Sequence, residues 1–406
     1  MFLRKLKYTN TGSLSKLAWL RFCRNRIAFS SLLFIGLVAA MGIFGYWITP
    51  DSTPMVNEQN LLLATLRPGA TVRVLKVHKN QDIMTRTVFH HLLYGKENKY
   101  TDYPVSGYRF TNDSIIIKEY SKDSSGLELA FHLADVCYAL GENVRIVKSG
   151  TRISFATLQG EKINTTVEEL RNRILDKNIV NKAFLLGTDR YGRDVLSQLI
   201  IGTRVSLSVG FISVAISLLI GIFLGAIAGY FGGKIDDLIS WLINVVWAVP
   251  TLLLVIAITF ALGKGFWQVF VAVGLTMWVE VARVVRGQFM SLREKEFVEA
   301  ARALGYRNFR IIFRHILPNA MAPVIVISAA NFASAILLEA GLSFLGIGVQ
   351  PPMPSWGGMI KENYAYIILD YAYLAILPGI AIMIMVLAFM LIGNGLRDAM
   401  DVRSEK

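Results

Sequence analysis

Six apolar segments, each about as long as a lipid bilayer is thick, constrain this chain more than any other feature. A helix needs about 20 consecutive apolar residues to cross the bilayer core. Hydrophobic residues make up 54% of the 406 positions and charged residues only 17%, a balance typical of membrane proteins. We therefore predict an all-α polytopic membrane protein with six transmembrane helices, at residues 27–48, 206–230, 239–262, 266–285, 320–345 and 371–392.

The distribution of basic residues predicts which side of the membrane each loop faces. Lysine and arginine collect near both chain ends and in the loops after the second and fourth apolar segments. The positive-inside rule assigns such regions to the cytoplasm. Residues 1–26, the loop 286–318 and the tail 397–406 are then cytoplasmic, and so are both termini. This placement accounts for the net charge of +13 without any binding of nucleic acid.

A long polar stretch, residues 49–185, separates the first two apolar segments. It contains β-branched runs typical of strands and a helical pattern at residues 167–179, with Thr166 placed to cap that helix. These patterns predict a small α+β domain inserted on the extracytoplasmic side. The two cysteines, Cys23 and Cys137, would lie on opposite sides of the membrane, so we expect no structural disulfide between them.

The cytoplasmic loop contains a short amphipathic segment, residues 296–318. Its spacing predicts one helix that ends at Gly305 in a left-handed cap, then a second helix that Pro318 stops. From periodicity alone, the segment is a surface that packs on lipid or on another protein. The predicted apolar stripes are Phe297, Ala300, Ala301 and Leu304, then Phe309, Ile312, Phe313 and Ile316, with Arg307, Arg310 and Arg314 on the other side.

The same segment resembles the E-A-A loop of bacterial ATP-binding-cassette import permeases. Glu299-Ala300-Ala301, Gly305 and Leu317-Pro318 stand at that family's separations, although His315 takes a place where the pattern has isoleucine. The chain is similar to the second, C-type permease subunit of the dipeptide, oligopeptide and nickel subfamily. Three further blocks carry this resemblance: LGTDRYGRDVLSQLIIGTRVSL from Leu186, GLSFLGIGVQPPMPSWGGM from Gly341 and NGLRDAMD from Asn394.

The resemblance implies a type I ABC importer permease fold in the bacterial cytoplasmic membrane. It implies four kinds of partner: membrane lipid, a second homologous permease subunit, two cytoplasmic ATPase subunits and an extracytoplasmic solute-binding protein. Di- or oligopeptides are the leading solutes, with nickel, another metal chelate or an oligosaccharide as alternatives. The residues it implies for coupling to the ATPases are Glu299, Ala300, Ala301, Gly305, Arg307, Leu317 and Pro318.

The sequence contains no phosphate-binding loop of the G-x-x-x-x-G-K-[ST] type, which nucleotide hydrolysis in this class of transporter requires. We therefore expect a transport subunit that is not an enzyme, without catalytic residues, cofactor or metal site. A membrane-anchored scaffold or receptor, acting through the extracytoplasmic domain, is the alternative from a different class of protein.

Several residues inside the apolar segments predict packing or a pathway. Gly221, Gly225 and Gly229 recur every fourth residue and predict close helix packing. Pro250 should kink its helix, either as a static bend or as a hinge. Glu339 is a candidate for the translocation path, because a carboxylate buried in lipid is costly and must face protein, water or a charge.

Two groups of charged residues have simpler interpretations. Glu280 and Arg283 are one helical turn apart, which predicts an ion pair near the cytoplasmic end. The block 186–194 alternates aspartate with arginine just before the second apolar segment. Such charges usually satisfy one another, so a structural clasp is the leading interpretation of this block, and docking of a solute receptor is the other.

Overall fold

The computed structural model describes residues 14–83, 86–121, 126–141, 144–263 and 265–401. The start of the predicted basic segment, residues 1–13, and the end of the predicted tail, residues 402–406, lie outside the described residues. The chain divides into two compact units. Within the described residues, the helical unit comprises 14–42, 202–364 and 375–401, and the α+β unit comprises Ile43–Ile201 and Ala365–Leu374.

Within the part of the chain that the structure describes, the strands lie in the α+β unit. The helices are α1 Leu14–Arg24, α2 Arg26–Ile43, α3 Gly45–Ile48, α4 Val88–Tyr94, α5 Leu133–Cys137, α6 Val167–Arg173, α7 Val195–Phe231, α8 Gly233–Ala248, α9 Thr251–Leu262, α10 Phe266–Leu292, α11 Glu296–Ala303, α12 Asn308–Arg310, α13 Leu317–Phe344, α14 Trp356–Asn363 and α15 Tyr373–Met400. The strands are β1 Ala70–His78, β2 Tyr100–Phe110, β3 Ser114–Glu119, β4 Glu128–His132, β5 Val147–Ser149, β6 Arg152–Ala156, β7 Lys162–Thr166 and β8 Ile179–Phe184. Turns of π-helix occupy Ile174–Asn178 and Ile311–Ile316.

Among the described residues, five helices are long and apolar enough to cross a membrane, and a sixth crossing results if α8 and α9 form one bent span. The axes of α8 and α9 differ by 95°. The break lies at Val249 and Pro250, because proline donates no backbone hydrogen bond and pushes the residue before it into an extended conformation. The predicted third span, residues 239–262, is therefore two helices that meet at the predicted kink. The five helices are Arg26–Ile43, Val195–Phe231, Phe266–Leu292, Asn308–Phe344 and Tyr373–Met400.

The glycine row of α7 packs directly on α10. A Cβ atom added to Gly221 would lie 2.5 Å from Val281 Cβ, and one added to Gly229 would lie 2.5 Å from Phe289 Cβ. A Cβ atom on Gly225 would lie 2.5 Å from a backbone carbonyl oxygen of α10. Small residues let helix backbones approach this closely where no hydrophobic force drives association, and the three glycines lie at this contact.

The α+β unit is built on two antiparallel sheets. The larger has the order β4-β3-β2-β1-β8, and the smaller has the order β5-β6-β7. Ala70 at the start of β1 pairs with Phe184 at the end of β8, so the chain enters and leaves the sheet on neighbouring strands. That arrangement is typical of a domain inserted into another fold.

The core of the α+β unit lies where α5, α6 and the adjoining π turn cover the larger sheet. Thr166 caps α6 as predicted, since its side chain accepts a hydrogen bond from Glu169 N–H and its own N–H donates to the Glu169 carboxylate. Buried branched side chains dominate this core, as a pleated surface favours. The core residues are Leu75, Val77, Val105, Ile115, Ile117, Leu133, Ala134, Val136, Cys137, Leu140, Ile153, Phe155, Leu170 and Ile174.

Candidate functional site

Helix α11 packs on the helical unit through Val298 and Ala301. Val298 is fully buried and Ala301 is 3% exposed. Phe297 and Leu304, which belong to the apolar stripe predicted to meet lipid or another protein, are 39% and 71% exposed. The helix carries two apolar stripes that share Ala301, and periodicity alone does not show which of them meets the protein. The large side chains of Phe297 and Leu304 are the exposed ones.

Gly305 ends α11 in the left-handed conformation that its predicted role requires. Its φ is +75°, a region that residues with a Cβ atom rarely adopt. The N–H of Gly305 donates to the carbonyl of Arg302 at 2.9 Å, and the N–H of Tyr306 donates to the carbonyl of Ala301 at 3.1 Å. These bonds satisfy the free carbonyls at the helix end and fix the direction in which the chain leaves it.

The segment after Gly305 repeats the same division between buried and exposed apolar residues. Ile312 and Ile316, from the second predicted stripe, are buried within the chain. Phe309 and Phe313 belong to that stripe too, but they are 72% and 48% exposed, and their rings pack on each other with centroids 4.4 Å apart. With Phe297 and Leu304 they make up four exposed apolar side chains, together called the coupling surface below.

The predicted helix end at Pro318 is wrong. The π turn Ile311–Ile316 leads directly into α13, and Pro318 lies within the first turn of that helix after Leu317. Proline is tolerated there because the N–H groups of a first helical turn lack intrahelical partners anyway. The coupling surface is thus continuous with a helix long enough to span the membrane, Asn308–Phe344.

Aromatic and basic side chains make further contacts within the segment that carries the coupling surface and with α7. The Tyr230 hydroxyl donates to Asn308 Oδ1 at 2.8 Å. The Arg310 guanidinium lies 4.2 Å from the centre of the Tyr306 ring, and that ring stacks on His315 at 5.7 Å. The remaining predicted coupling residues Glu299, Ala300 and Arg307 are exposed at the surface, whereas Leu317 is half-buried.

One hydrophobic cluster joins the coupling surface to three long helices. It takes residues from α7, α10 and α13, and it takes Val298, Ala301 and the three buried isoleucines from the segment 296–316. Close-packed interiors transmit displacement because they are stiff. The full set is Ala226, Tyr230, Val281, Val285, Phe289, Val298, Ala301, Ile311, Ile312, Ile316, Ala320 and Val324.

Glu339 lies fully buried in α13. Its Oε1 accepts a hydrogen bond from Ser343 Oγ at 2.7 Å, and the hydroxyls of Ser206 and Ser355 also approach the carboxyl group. Oε2 has no partner with hydrogen-bond geometry among the described residues. In this conformation the carboxyl group therefore faces protein and a ring of serines.

A cavity of about 480 Å³ lies beside the α8–α9 bend, between α10 and α13. Glu280 and Trp247 line it. The predicted Glu280–Arg283 ion pair is absent, because the Arg283 guanidinium lies over the Trp247 ring at 3.8 Å instead. Sequence reasoning missed Glu280 as a cavity residue, since the bend that brings Trp247 to Arg283 leaves no trace in local spacing.

The charged block before α7 forms a buried clasp. The Arg193 Nε donates to Asp189 Oδ2 at 2.6 Å, and both side chains are at least nine-tenths buried. Asp189 Oδ1 accepts the backbone N–H groups of Tyr191 and Arg193. Asp194 Oδ2 accepts the Ser197 N–H at the start of α7. These bonds support the structural interpretation of the block over receptor docking.

Comparison with known proteins agrees with this arrangement. Residues 221–406 match the profile described as the binding-protein-dependent transport system inner membrane component, and residues 13–68 match the N-terminal transmembrane domain of oligopeptide transport permease C. Neither match includes residues 69–220. The larger sheet begins at Ala70, directly after the N-terminal match ends.

Three relatives show how far the similarity extends. A dipeptide transport system permease of Alkalihalophilus pseudofirmus is 46% identical over 215 residues, covering 53% of this chain and 70% of that protein. A glutathione transport system permease of Pectobacterium atrosepticum is 41% identical over 221 residues, 54% of this chain and 73% of that protein. An oligopeptide transport system permease of Bacillus subtilis is 37% identical over 226 residues, 56% and 74% of the two chains.

Long apolar helices, the segment 296–316 packed against them and these relatives define the class as a multi-pass membrane permease of ATP-binding-cassette importers. The chain belongs to the family of binding-protein-dependent transport system inner membrane components.

Proposed function

We propose that this chain is the membrane-spanning permease subunit of an ATP-driven, binding-protein-dependent importer of short peptides. The solute rests on the relatives, whose names specify dipeptides, glutathione and oligopeptides. The coupling surface is the observation that carries the proposal, because it presents exposed aromatic side chains on a segment packed against three long helices. A surface of this kind is suited to receive force from a protein partner.

The importer contains several further subunits. A second, homologous permease completes the passage, two cytoplasmic ATPases supply the energy, and an extracytoplasmic solute-binding protein delivers the peptide. Phe297, Phe309 and Phe313 are the apolar anchors for an ATPase groove, and the exposed Arg307 and Glu299 surround them with charge. Exposed aromatic anchors with a polar rim are typical of protein interfaces.

The orientation follows from the same surface. The ATPases require that the coupling surface face the cytoplasm, and the basic loops agree with that side. Both termini are then cytoplasmic in the bacterial inner membrane when α8 and α9 form one crossing. The α+β unit faces outward, on the side where the solute-binding protein docks.

Coupling proceeds through the hydrophobic cluster. When ATP draws the two ATPases together, the displaced α11 moves Val298 and Ala301 against α10 and α13, which favours an outward-open state. Pro250 sets the bend beside which Glu280 lines a cavity. Glu339 belongs to the same translocation path, where rearrangement of the serines around it would expose its carboxyl group.

Uptake in cells tests this proposal. Cells that express the complete importer are given labelled dialanine, nickel or maltotriose, which separates peptide import from the two alternative solutes. We expect dialanine uptake with the wild-type chain and its loss in Glu299→Lys. Glu161→Lys is the matched control, because it reverses an exposed acidic residue in the α+β unit. Normal uptake in an assembled Glu299→Lys complex would contradict the coupling role.

The scaffold alternative makes the opposite prediction. A membrane-anchored receptor would reach the membrane and retain its α+β unit, yet dialanine uptake would not depend on this chain. Deleting the gene and measuring uptake in otherwise identical cells decides between the two classes.

A further inference from the structure

The α+β unit contains a cavity of about 850 Å³ for which the transport role above has no use. Its walls come from residues 51–63, from strands β1, β2 and β8, and from the turn before α7. Sites for small organic molecules usually measure about 300–1,000 Å³. Tyr103, Val74 and Phe184 provide an apolar side, so the cavity has the size and the mixed lining of a ligand site.

Acidic groups outnumber basic ones around this cavity. Lys182 Nζ donates to Glu58 Oε2 at 2.9 Å and to Asp102 Oδ2 at 3.3 Å. Asp51 and Asp194 also line the cavity, which gives four carboxyl groups to one ammonium group in this set. Glu97, Glu119 and Lys79 are the other charged residues among the described lining. The cavity therefore favours a cation.

Two carboxyl oxygens on this wall have no donor. Asp102 Oδ1 and Asp194 Oδ1 are buried without a hydrogen-bond partner among the described residues. The Asp102 side chain is 9% exposed and Asp194 is 3% exposed. The other oxygen of each group is engaged, by Lys182 and by Ser197. A buried acceptor without a donor is costly, so both oxygens are poised to receive one from a ligand.

Burial favours the neutral form of the acidic groups that line the cavity. Burial raises the pKa of Asp51, Asp102 and Asp194 above that of an ordinary aspartic acid. Burial alone would lower the pKa of Lys182, but Glu58 and Asp102 raise it. A bound cation would stabilise the ionised carboxylates and reverse the effect of burial.

We infer that this cavity binds the primary ammonium group of a small ligand through Asp102 Oδ1 and Asp194 Oδ1, with the rest of the ligand along Tyr103 and Phe184. An ammonium group offers three donors, which suits two unpartnered acceptors. Among the described residues, no group of three or more His, Cys, Asp or Glu is arranged to hold a metal ion, so an organic cation fits better than a metal.

The amino terminus of a peptide and a simple amine both carry this group. A peptide as the ligand rests on the proposed function, since an importer of peptides meets free amino termini on its outer side. A simple amine as the ligand does not depend on that function, because it would bind whether or not the chain transports peptides.

Calorimetric titration of the purified full-length chain in detergent tests the inference with three probes: dialanine, N-acetyl-dialanine and 1,4-diaminobutane. We expect dialanine to bind roughly tenfold or more tightly than its acetylated form, which has lost the ammonium group. Binding of diaminobutane alone would support the ammonium site and identify an amine as its source. Equal binding of the two dialanines, or no binding of any probe at millimolar concentration, would overturn the inference.

Two variants and a control locate the site. Asp102→Asn and Asp194→Asn should each weaken binding roughly tenfold or more, because an amide lacks the negative charge. Asparagine can still cap α7 at position 194, so this second variant remains informative if the first unfolds. Asp176→Asn changes an exposed residue outside the cavity and should leave affinity unchanged. Normal affinity in both folded cavity variants would contradict the site.

The outcome is independent of the uptake experiment. Dialanine uptake without binding to the purified chain would contradict the ammonium site and leave the proposed importer unaffected. Binding of diaminobutane without any dialanine uptake would support the ammonium site and contradict the proposed importer.

Discussion

The two units of this molecule hold their elements together by opposite means. In the helical unit, α7 and α10 approach where side chains are absent, at Gly221, Gly225 and Gly229. In the α+β unit, branched side chains such as Ile115 and Ile117 fill the space between a sheet and its helices. Water drives the second kind of packing, whereas inside lipid only close contact and hydrogen bonds remain. The two units should therefore respond differently to the same class of mutation.

The buried charges differ in the same way. The α+β unit buries the Asp189–Arg193 pair and the carboxyl groups around Lys182. In the helical unit, the buried Glu339 has serine hydroxyls around it instead of a basic partner. A unit in contact with water can hold charges in pairs, while a spanning unit makes each carboxyl group a special site.

The largest effect should come from breaking the buried pair. Asp189→Ala removes the carboxylate that pairs with Arg193 and accepts the N–H groups of Tyr191 and Arg193, and should cost about 3–5 kcal/mol of stability in the α+β unit. Hydrogen exchange of the β8 amides would report the loss. Glu128→Ala is the control, because its pair with Arg109 is more than half exposed and should contribute at most about 1 kcal/mol. Equal losses in the two variants would contradict the clasp.

A substitution in the glycine row should cost less stability than loss of the buried pair, and it tests the packing of the helical unit. Gly225→Ala places a methyl group 2.5 Å from a carbonyl oxygen of α10 and should cost about 1–3 kcal/mol through overpacking. Thermal unfolding in detergent measures this loss. Gly287→Ala is a matched control on α10, where nothing lies within 4 Å of the new Cβ. A Gly225→Ala protein as stable as the control would contradict the close packing.

Sequence spacing predicted the features that depend only on residues close together in the chain. Gly305 follows from one helix end, and the α7 glycines follow from one helix face. The buried stripe of α11, the position of Pro318 inside α13 and the contact of Arg283 with Trp247 depend on elements distant in the chain. The acidic cavity was not predicted either, because its lining comes from segments more than 100 residues apart.

A smaller effect is expected at the joint of the coupling surface. Gly305→Val forces a branched residue to adopt a φ of +75° and should cost about 1–2 kcal/mol locally, with slower peptide-stimulated ATP hydrolysis by the assembled importer. Gly305→Asn is the matched variant, because asparagine tolerates this conformation. If both variants hydrolyse ATP at the same rate as wild type, the joint has no role in coupling.

The smallest effect is a pH dependence in the acidic cavity. Burial in the folded state raises the pKa of Asp102, so protonation of this carboxyl group stabilises the fold. That stabilisation is complete below the unfolded pKa near 3.8 and is lost as pH rises through the folded pKa. The stability of wild type relative to Asp102→Asn should therefore increase as pH falls from 7 towards 4. Chemical unfolding monitored in the α+β unit would show this, and a difference independent of pH would contradict the assigned burial.

The most direct test of the central claim asks what touches the coupling surface. A photo-crosslinking amino acid replaces Phe309, which is 72% exposed, in cells that contain the whole importer. The control position is Phe260 of α9, which is 57% exposed on an apolar helix. The account predicts that position 309 crosslinks to an ATPase subunit and position 260 does not. Crosslinking of position 309 to lipid alone would show that the segment lies on the membrane surface, and the proposed route of energy into this permease would be wrong.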